Sequence, residues 1–284
     1  MRVDIPSPTS LPRLRTPNPL PPLGVGCNSD PPTSQPQNGG PTDSDKTRLA
    51  AALPGIAPRI LPDLHVGAGG AVQEAEGLFN GDAAFPLGAI NAETNAGTHD
   101  MKRALDEAAD LITWFSYDTK VTDRIYARTA SFCSGSSNNF DQWDQGISFF
   151  LPNMTWYQPP GYVHVMITKT WAEQTLQATF APGNATFPFT AQRTADGKSL
   201  VLRAVNPLGG EQPFAVTLAG GALAAGPTYT LWTLSGDEDD ADNTPSNPTK
   251  ISPQQAQVPI AAGAASISAT LPARTFAVMV ITLQ

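Results

Sequence analysis

One carboxylate stands where a strand gives way to a helix. The apolar run Leu87-Gly88-Ala89-Ile90 leads to Glu93, an Asn/Gly turn follows, and Thr98 precedes a segment of helical periodicity. In a β/α barrel, a carboxylate placed there projects from the C-terminal rim of a strand, where it can attack a substrate or move a proton. The spacing predicts a helix from His99 to about Phe115. Met101, Leu105, Ala108, Ala109 and Ile112 share one face, and Asp106, Glu107 and Asp110 point away. Thr98 is placed as the N-cap, and Asp100 suits the positive end of the helix dipole. Taken alone, Glu93 is more simply read as a solvated carboxylate at a strand end.

Other chemistries find little support. His65, His99 and His164 lack HExxH spacing and the two cysteines lack CxxC spacing, so neither a metal nor a cofactor is expected. Gly67-Ala68-Gly69-Gly70 has neither GxGxxG spacing nor a Walker lysine. The run Asp237 to Asp242 is dense enough in oxygen to suggest calcium, but it lacks the glycine and closing glutamate of an EF-hand loop. A solvated acidic loop is the simpler reading. Cys27 and Cys133 read as two free thiols.

A formal charge of −8 and a pI near 4.8 argue against nucleic acid or an anionic membrane as partner. No apolar run reaches the ~18 to 20 residues of a membrane span. Prolines break up Met1 to Gly24, which lacks the apolar core of a secretory leader. Asn153-Met154-Thr155 and Asn184-Ala185-Thr186 are glycosylation sequons, which matter only on a secretory route. The compartment is left open, extracellular if the N-terminus is incomplete.

The elements that must position Glu93 come from two architectures in succession. Residues 1–48 hold eleven of the 28 prolines and read as a disordered tail. Residues 49–158 carry β/α signals: a strand at Arg59 to Val66, a helical piece at Val72 to Phe79, the Glu93 strand and its helix, and a strand at Arg124 to Phe132. Residues 159–284 open with a helical turn or two between Tyr162 and Trp171 and then turn to β. Phe187 to Arg193 and Leu200 to Asn206 flank the hairpin signal Ala195-Asp196-Gly197-Lys198. Short strands follow at Phe214 to Leu218, Thr228 to Leu234, Ala256 to Ile260, Ala265 to Leu271 and Thr275 to Leu283, the pattern of an antiparallel sandwich. The fold class is therefore an incomplete (β/α)8-barrel remnant followed by an antiparallel β-sandwich.

Three blocks resemble the family-51 glycoside hydrolases, the α-L-arabinofuranosidases. Glu93-Thr94-Asn95-Ala96-Gly97-Thr98-His99-Asp100-Met101-Lys102-Arg103-Ala104-Leu105 is similar to the family's nucleophile strand and the helix after it. Trp143-Asp144-Gln145-Gly146, running on to Pro159-Pro160-Gly161-Tyr162-Val163, resembles the segment leaving the last barrel strand. Leu231 to Ile251, with its Asn243-Thr244-Pro245 and Asn247-Pro248 landmarks, resembles the long acidic loop of the C-terminal sandwich. Asp63-Leu64-His65-Val66 is similar to a sixth-strand region that offers an active-site histidine.

The resemblance implies a retaining arabinofuranosidase with Glu93 as nucleophile. Substrate-binding roles fall to His65, Asn95, Trp143 and Gln145, and the partner is an arabinose-containing polysaccharide or oligosaccharide. It also implies a missing piece. The family's acid/base glutamate sits in a Gly-Asn-Glu motif on the fourth strand, and this sequence contains no Gly-Asn-Glu. The chain is thus expected to be a C-terminal part with little activity alone, its barrel strands poorly packed and residues 160–284 folding as a unit. A reading from another class is a non-catalytic sandwich that binds carbohydrate through aromatics such as Trp171 or Trp232, or that serves as structural support. A third keeps the glycosidase fold and changes the sugar, for instance to xylose.

Overall fold

The computed structural model describes residues 2–4, 51–52, 88–93, 98–117, 125–131, 146–179, 187–219, 228–261, 264 and 266–283. The strands predicted at Arg59 to Val66 and the helical piece at Val72 to Phe79 lie outside the described residues. No helix among those described is long and apolar enough to cross a membrane.

The β/α part consists, among the described residues, of one unit. Strand β2 (Gly88–Glu93) and strand β3 (Ile125–Ser131) pair in parallel, and helix α1 (Met101–Tyr117) connects them. Strands β4 (Ser148–Leu151) and β5 (Met154–Tyr157) form a small hairpin, and helix α2 (Pro159–Lys169) follows. Pro159 and Pro160 are the first two residues of α2, where the backbone N–H has no partner within the helix and its loss costs little. The α2 helix thus begins earlier than its apolar spacing suggested.

The sandwich has two layers. One runs β11 (Gln254–Pro259), β10 (Thr228–Ser235), β13 (Thr275–Thr282), β8 (Ser199–Asn206), β7 (Phe189–Arg193) and the first half of β6 (Gln174–Thr179). The other runs from the second half of β6 through β1 (Arg2–Asp4) and β9 (Gln212–Ala219) to β12 (Ser266–Leu271). Strand β6 joins the layers: Gln174 to Leu176 pair with β7, and Gln177 to Thr179 pair with β1. Such a switching strand makes the corner of a sandwich. The segment of residues 1–48 reads as disordered, yet Arg2–Asp4 lie antiparallel to β6 and parallel to β9. A backbone ladder between two strands asks little of side-chain composition, so the prolines downstream gave no hint of it.

The period of two explains the long layer. Along β8, Leu200, Leu202 and Ala204 face the short layer, while Val201, Arg203 and Val205 face the helices. Along β13, Ala277, Met279 and Ile281 face inward and Phe276 and Val278 outward. Strands buried on both faces read as continuous apolar runs. The outer partners are Met101, Ala104, Leu105, Ala108, Leu111 and Ile112 of α1 with Val163, Met166 and Ile167 of α2. The poor packing expected of the β/α part therefore does not extend to α1, which lies across β7 and β8. Nor does Glu107 point away from the core: it is 1% exposed.

Candidate functional site

Glu93 is the last residue of β2, opposite Ser131 at the end of β3, with a register irregularity between Asn91 and Glu93. The strand and the helix of the sequence are thus present, and Glu93 occupies the C-terminal edge of a parallel pair. That is the edge at which β/α folds place their chemistry. His65, Asn95, Trp143 and Gln145 lie outside the described residues, as does the side chain of Glu93.

The start of α1, eight residues after Glu93, is held from three sides. Met101 N–H donates to Ala241 O at 2.9 Å and Lys102 N–H to Asp239 O at 2.8 Å, both on the acidic loop that follows β10. Arg103 N–H donates to Asp100 Oδ1 at 2.8 Å. The N-cap is therefore Asp100 and not Thr98, because the helix begins at Met101, two residues later than its spacing suggested. His99 lies just ahead, its Nε2 3.2 Å from Asp242 Oδ2 and its ring 4.8 Å from that of Phe149 on β4.

The hairpin is tied to the same loop. Trp156 Nε1 and Gln158 Nε2 both donate to Asn243 O, at 3.1 and 2.8 Å, and Asn243 N–H donates to Gln158 Oε1 at 3.0 Å. The Asn243 side chain donates to Tyr157 O and Ile251 O and accepts from Ile251 N–H, all within 2.9 Å. One buried asparagine thereby closes the acidic loop and fastens it to the chain leaving the hairpin. A second carboxylate of the loop has a protein partner too: Arg274 Nε donates to Asp239 Oδ1 at 2.6 Å. Among the described residues no group of three or more His, Cys, Asp or Glu could hold a metal ion.

Two further buried clusters fix the helices on the sheet. Arg103 Nη2 donates to Glu107 Oε2 at 2.6 Å, and His164 Nε2 of α2 lies 3.4 Å from the other oxygen, so Glu107 links α1 to α2. Arg203 of β8, fully buried, donates to Gln192 Oε1 and to Thr170 O, and its guanidinium lies 5.6 Å from the centre of the Phe115 ring. Burial, which disfavours the charged form, pushes its pKa down to about 9.

The three blocks singled out in the sequence thus meet: the end of the Glu93 block, the hairpin after Gln145, and the acidic loop. Sequence reasoning missed Asp100, Gln158 and Asn243 as the residues that join them. The Asn-Thr-Pro landmark and the glutamine before the proline pair were visible, but a hydrogen bond between residues 85 apart has no local signature.

No protein-family model matches the chain, and no curated protein matches it. Solved structures do. The arabinose-bound family-51 α-L-arabinofuranosidase MgGH51 superimposes with a TM-score of 0.60 over 85% of this chain and 42% of its own, at 17% identity. The α-L-arabinofuranosidase of Thermotoga maritima in its arabinose complex gives 0.51 over 67% of this chain and 39% of its own, at 16% identity. The thermostable family-51 enzyme of Thermotoga petrophila gives 0.51 over 67% and 41%, at 16% identity. At such identities the likeness is one of fold. The chain has the fold of part of a family-51 α-L-arabinofuranosidase, a β/α unit joined to a β-sandwich, and spans about two fifths of those enzymes' length.

Proposed function

We propose that this chain carries the nucleophile side of a retaining α-L-arabinofuranosidase, acting on terminal non-reducing arabinofuranosyl residues of arabinan or arabinoxylan. The observation that supports this most is the β2–α1–β3 unit, whose first strand ends at Glu93, within a fold shared with arabinofuranosidases. In the proposed reaction the Glu93 carboxylate attacks the anomeric carbon, the glycosidic C–O bond breaks, and the leaving oxygen takes a proton. Water then cleaves the glycosyl ester with retention. His65, Asn95, Trp143 and Gln145 orient the sugar and favour the ionised form of Glu93.

The proton donor must stand about 5 to 5.5 Å from the nucleophile, and the sequence offers no Gly-Asn-Glu to supply it. General acid catalysis is worth about 10² to 10⁴-fold, so this chain alone turns over unactivated arabinosides slowly. A dinitrophenyl leaving group departs without a proton and bypasses the deficit. With dinitrophenyl arabinofuranoside, peptide mass spectrometry is expected to find an arabinosyl ester on Glu93 that disappears in Glu93→Gln. An ester on another residue, or none, overturns the assignment of Glu93. Brisk hydrolysis of alkyl arabinofuranosides that Glu93→Gln abolishes would instead show that a proton donor is present after all.

A further inference from the structure

The two helices do not reach the end of the sheet they cover. Helix α2 stops at Lys169, closed by Thr170, whose hydroxyl donates to Met166 O at 2.7 Å. Past that point the same face of the long layer continues, and a cleft of about 310 Å³ opens over it. Its floor is Val201 of β8, Val280 of β13 and Trp232 of β10. One wall is Trp171, 52% exposed, whose ring meets Phe115 of α1 nearly perpendicularly at 5.8 Å.

The rim is made of hydroxyl and amide groups. Among the described residues Thr194, Ser199, Thr230 and Gln255 line it, and no carboxylate does. Thr230 Oγ1 already accepts from Gln257 Nε2 at 2.9 Å, which leaves its own hydroxyl hydrogen to donate. The one cation among the described lining residues is Lys169, whose ammonium lies 5.8 Å from the centre of the Trp232 ring. Apolar faces with neutral donors and acceptors around them suit a molecule that has C–H faces and hydroxyl edges. A pyranose or furanose ring is such a molecule, since its C–H face packs on an indole while its hydroxyls reach the rim. A cation would ask for a carboxylate that the described lining residues do not include, and the ammonium of Lys169 already lies over the Trp232 ring.

We propose that this cleft is a non-catalytic binding site for a neutral oligosaccharide, with Trp171 as the stacking wall and Ser199, Thr230 and Gln255 as its hydrogen-bonding rim. The site is built only from the sandwich and the end of α2, so it holds whether or not Glu93 is a nucleophile. A cleft of this size accepts one or two sugar rings at a time. Its use is to retain a polymer chain on the protein.

The test is calorimetric titration of the full chain with arabino- and xylo-oligosaccharides, repeated on Trp171→Ala, Thr230→Val and Glu93→Gln. Saturable binding is expected, weakened about tenfold by Trp171→Ala, a loss of one aromatic contact, and severalfold by Thr230→Val. Glu93→Gln is expected to leave it unchanged. Circular dichroism of each variant checks folding, and the Trp171→Tyr variant, which keeps a stacking face, is expected to retain most of the affinity. Binding that ignores Trp171 and Thr230 overturns the proposal, as does no binding of either sugar series. Binding lost in Glu93→Gln but kept in Trp171→Ala also overturns it and places the sugar at the strand edge instead.

Discussion

The two faces of the long sheet are closed by different means. The face toward the short layer is apolar at its centre: Leu200, Leu202, Ala277, Met279 and Ile281 meet Phe214, Val216 and Ile267. The face toward the helices is equally buried but carries Arg203 and Gln192, with Thr170 and Glu107 opposite. Apolar contact rewards burial and is tolerant of small slides. A buried polar group is not tolerant, because each misplacement strands a donor or acceptor at about 1 to 3 kcal/mol. The helix face therefore fixes where α1 lies as well as that it is covered. Since α1 begins eight residues after Glu93, the sandwich sets the position of the β/α edge.

The largest effects should test whether the two faces form one cooperative structure. Phe276→Ala empties the helix face and Met279→Ala, three positions on, the inner face; both residues are fully or almost fully buried. Costs of about 3 to 5 and about 2 to 5 kcal/mol are expected. Chemical denaturation followed by circular dichroism and by tryptophan fluorescence should give coincident curves in both variants. Separate transitions, with Phe276→Ala moving only one of them, would show that the helices and the sandwich unfold apart.

A sharper test removes a polar clamp and leaves the apolar area alone. Arg103→Ala strips the buried Glu107 carboxylate of its guanidinium and leaves His164 beside it. A loss of about 3 kcal/mol is expected, because breaking a buried pair leaves an uncompensated charge. Pairing with Glu107→Gln should recover part of it. If the sandwich positions Glu93 through α1, Arg103→Ala should also slow arabinosyl labelling of Glu93 by more than its unfolded fraction accounts for.

Asn243→Ala should cost less, about 2 kcal/mol, by freeing Tyr157 O and both groups of Ile251. Its signature is local. The amides of Met101 and Lys102, which donate to the loop that Asn243 closes, should lose hydrogen-exchange protection before the rest of α1 does. Uniform loss along α1 would mean that the loop does not anchor the helix start.

What the sequence disclosed follows the same division. Strands β8 and β13 were legible because burial on two faces writes an unbroken apolar run. The β7–β8 turn was legible because Gly197, at φ 73, supplies the left-handed position and Asp196 accepts from Thr194 and Lys198. Strand β6 was not, since Gln174-Thr175-Leu176-Gln177-Ala178-Thr179 contains one large apolar residue. The burial of Glu107 was missed for a related reason. Helical spacing says which side chains share a face, but it does not say that an arginine one turn back and a histidine on another helix will accompany a carboxylate inward. Of the candidate site, the strand-end position of Glu93 was legible from its flanks, whereas the loop that holds α1 depends on contacts across more than 130 residues.

The smallest effect comes from the same helix and the same spacing. Lys102 Nζ donates to Asp106 Oδ2 at 2.7 Å, an i,i+4 pair like Arg103 and Glu107, yet its side chains are 63% and 55% exposed. Solvent screens that pair, and lysine N-terminal to aspartate is the less favourable order against the helix dipole. Lys102→Ala is therefore expected to cost no more than about 0.3 kcal/mol, and half-molar salt should erase the difference from the parent. The Arg103→Ala deficit should survive the same salt. Equal salt sensitivity in the two variants would mean that water reaches Glu107 as freely as Asp106, and the helix face would then be held by apolar area alone.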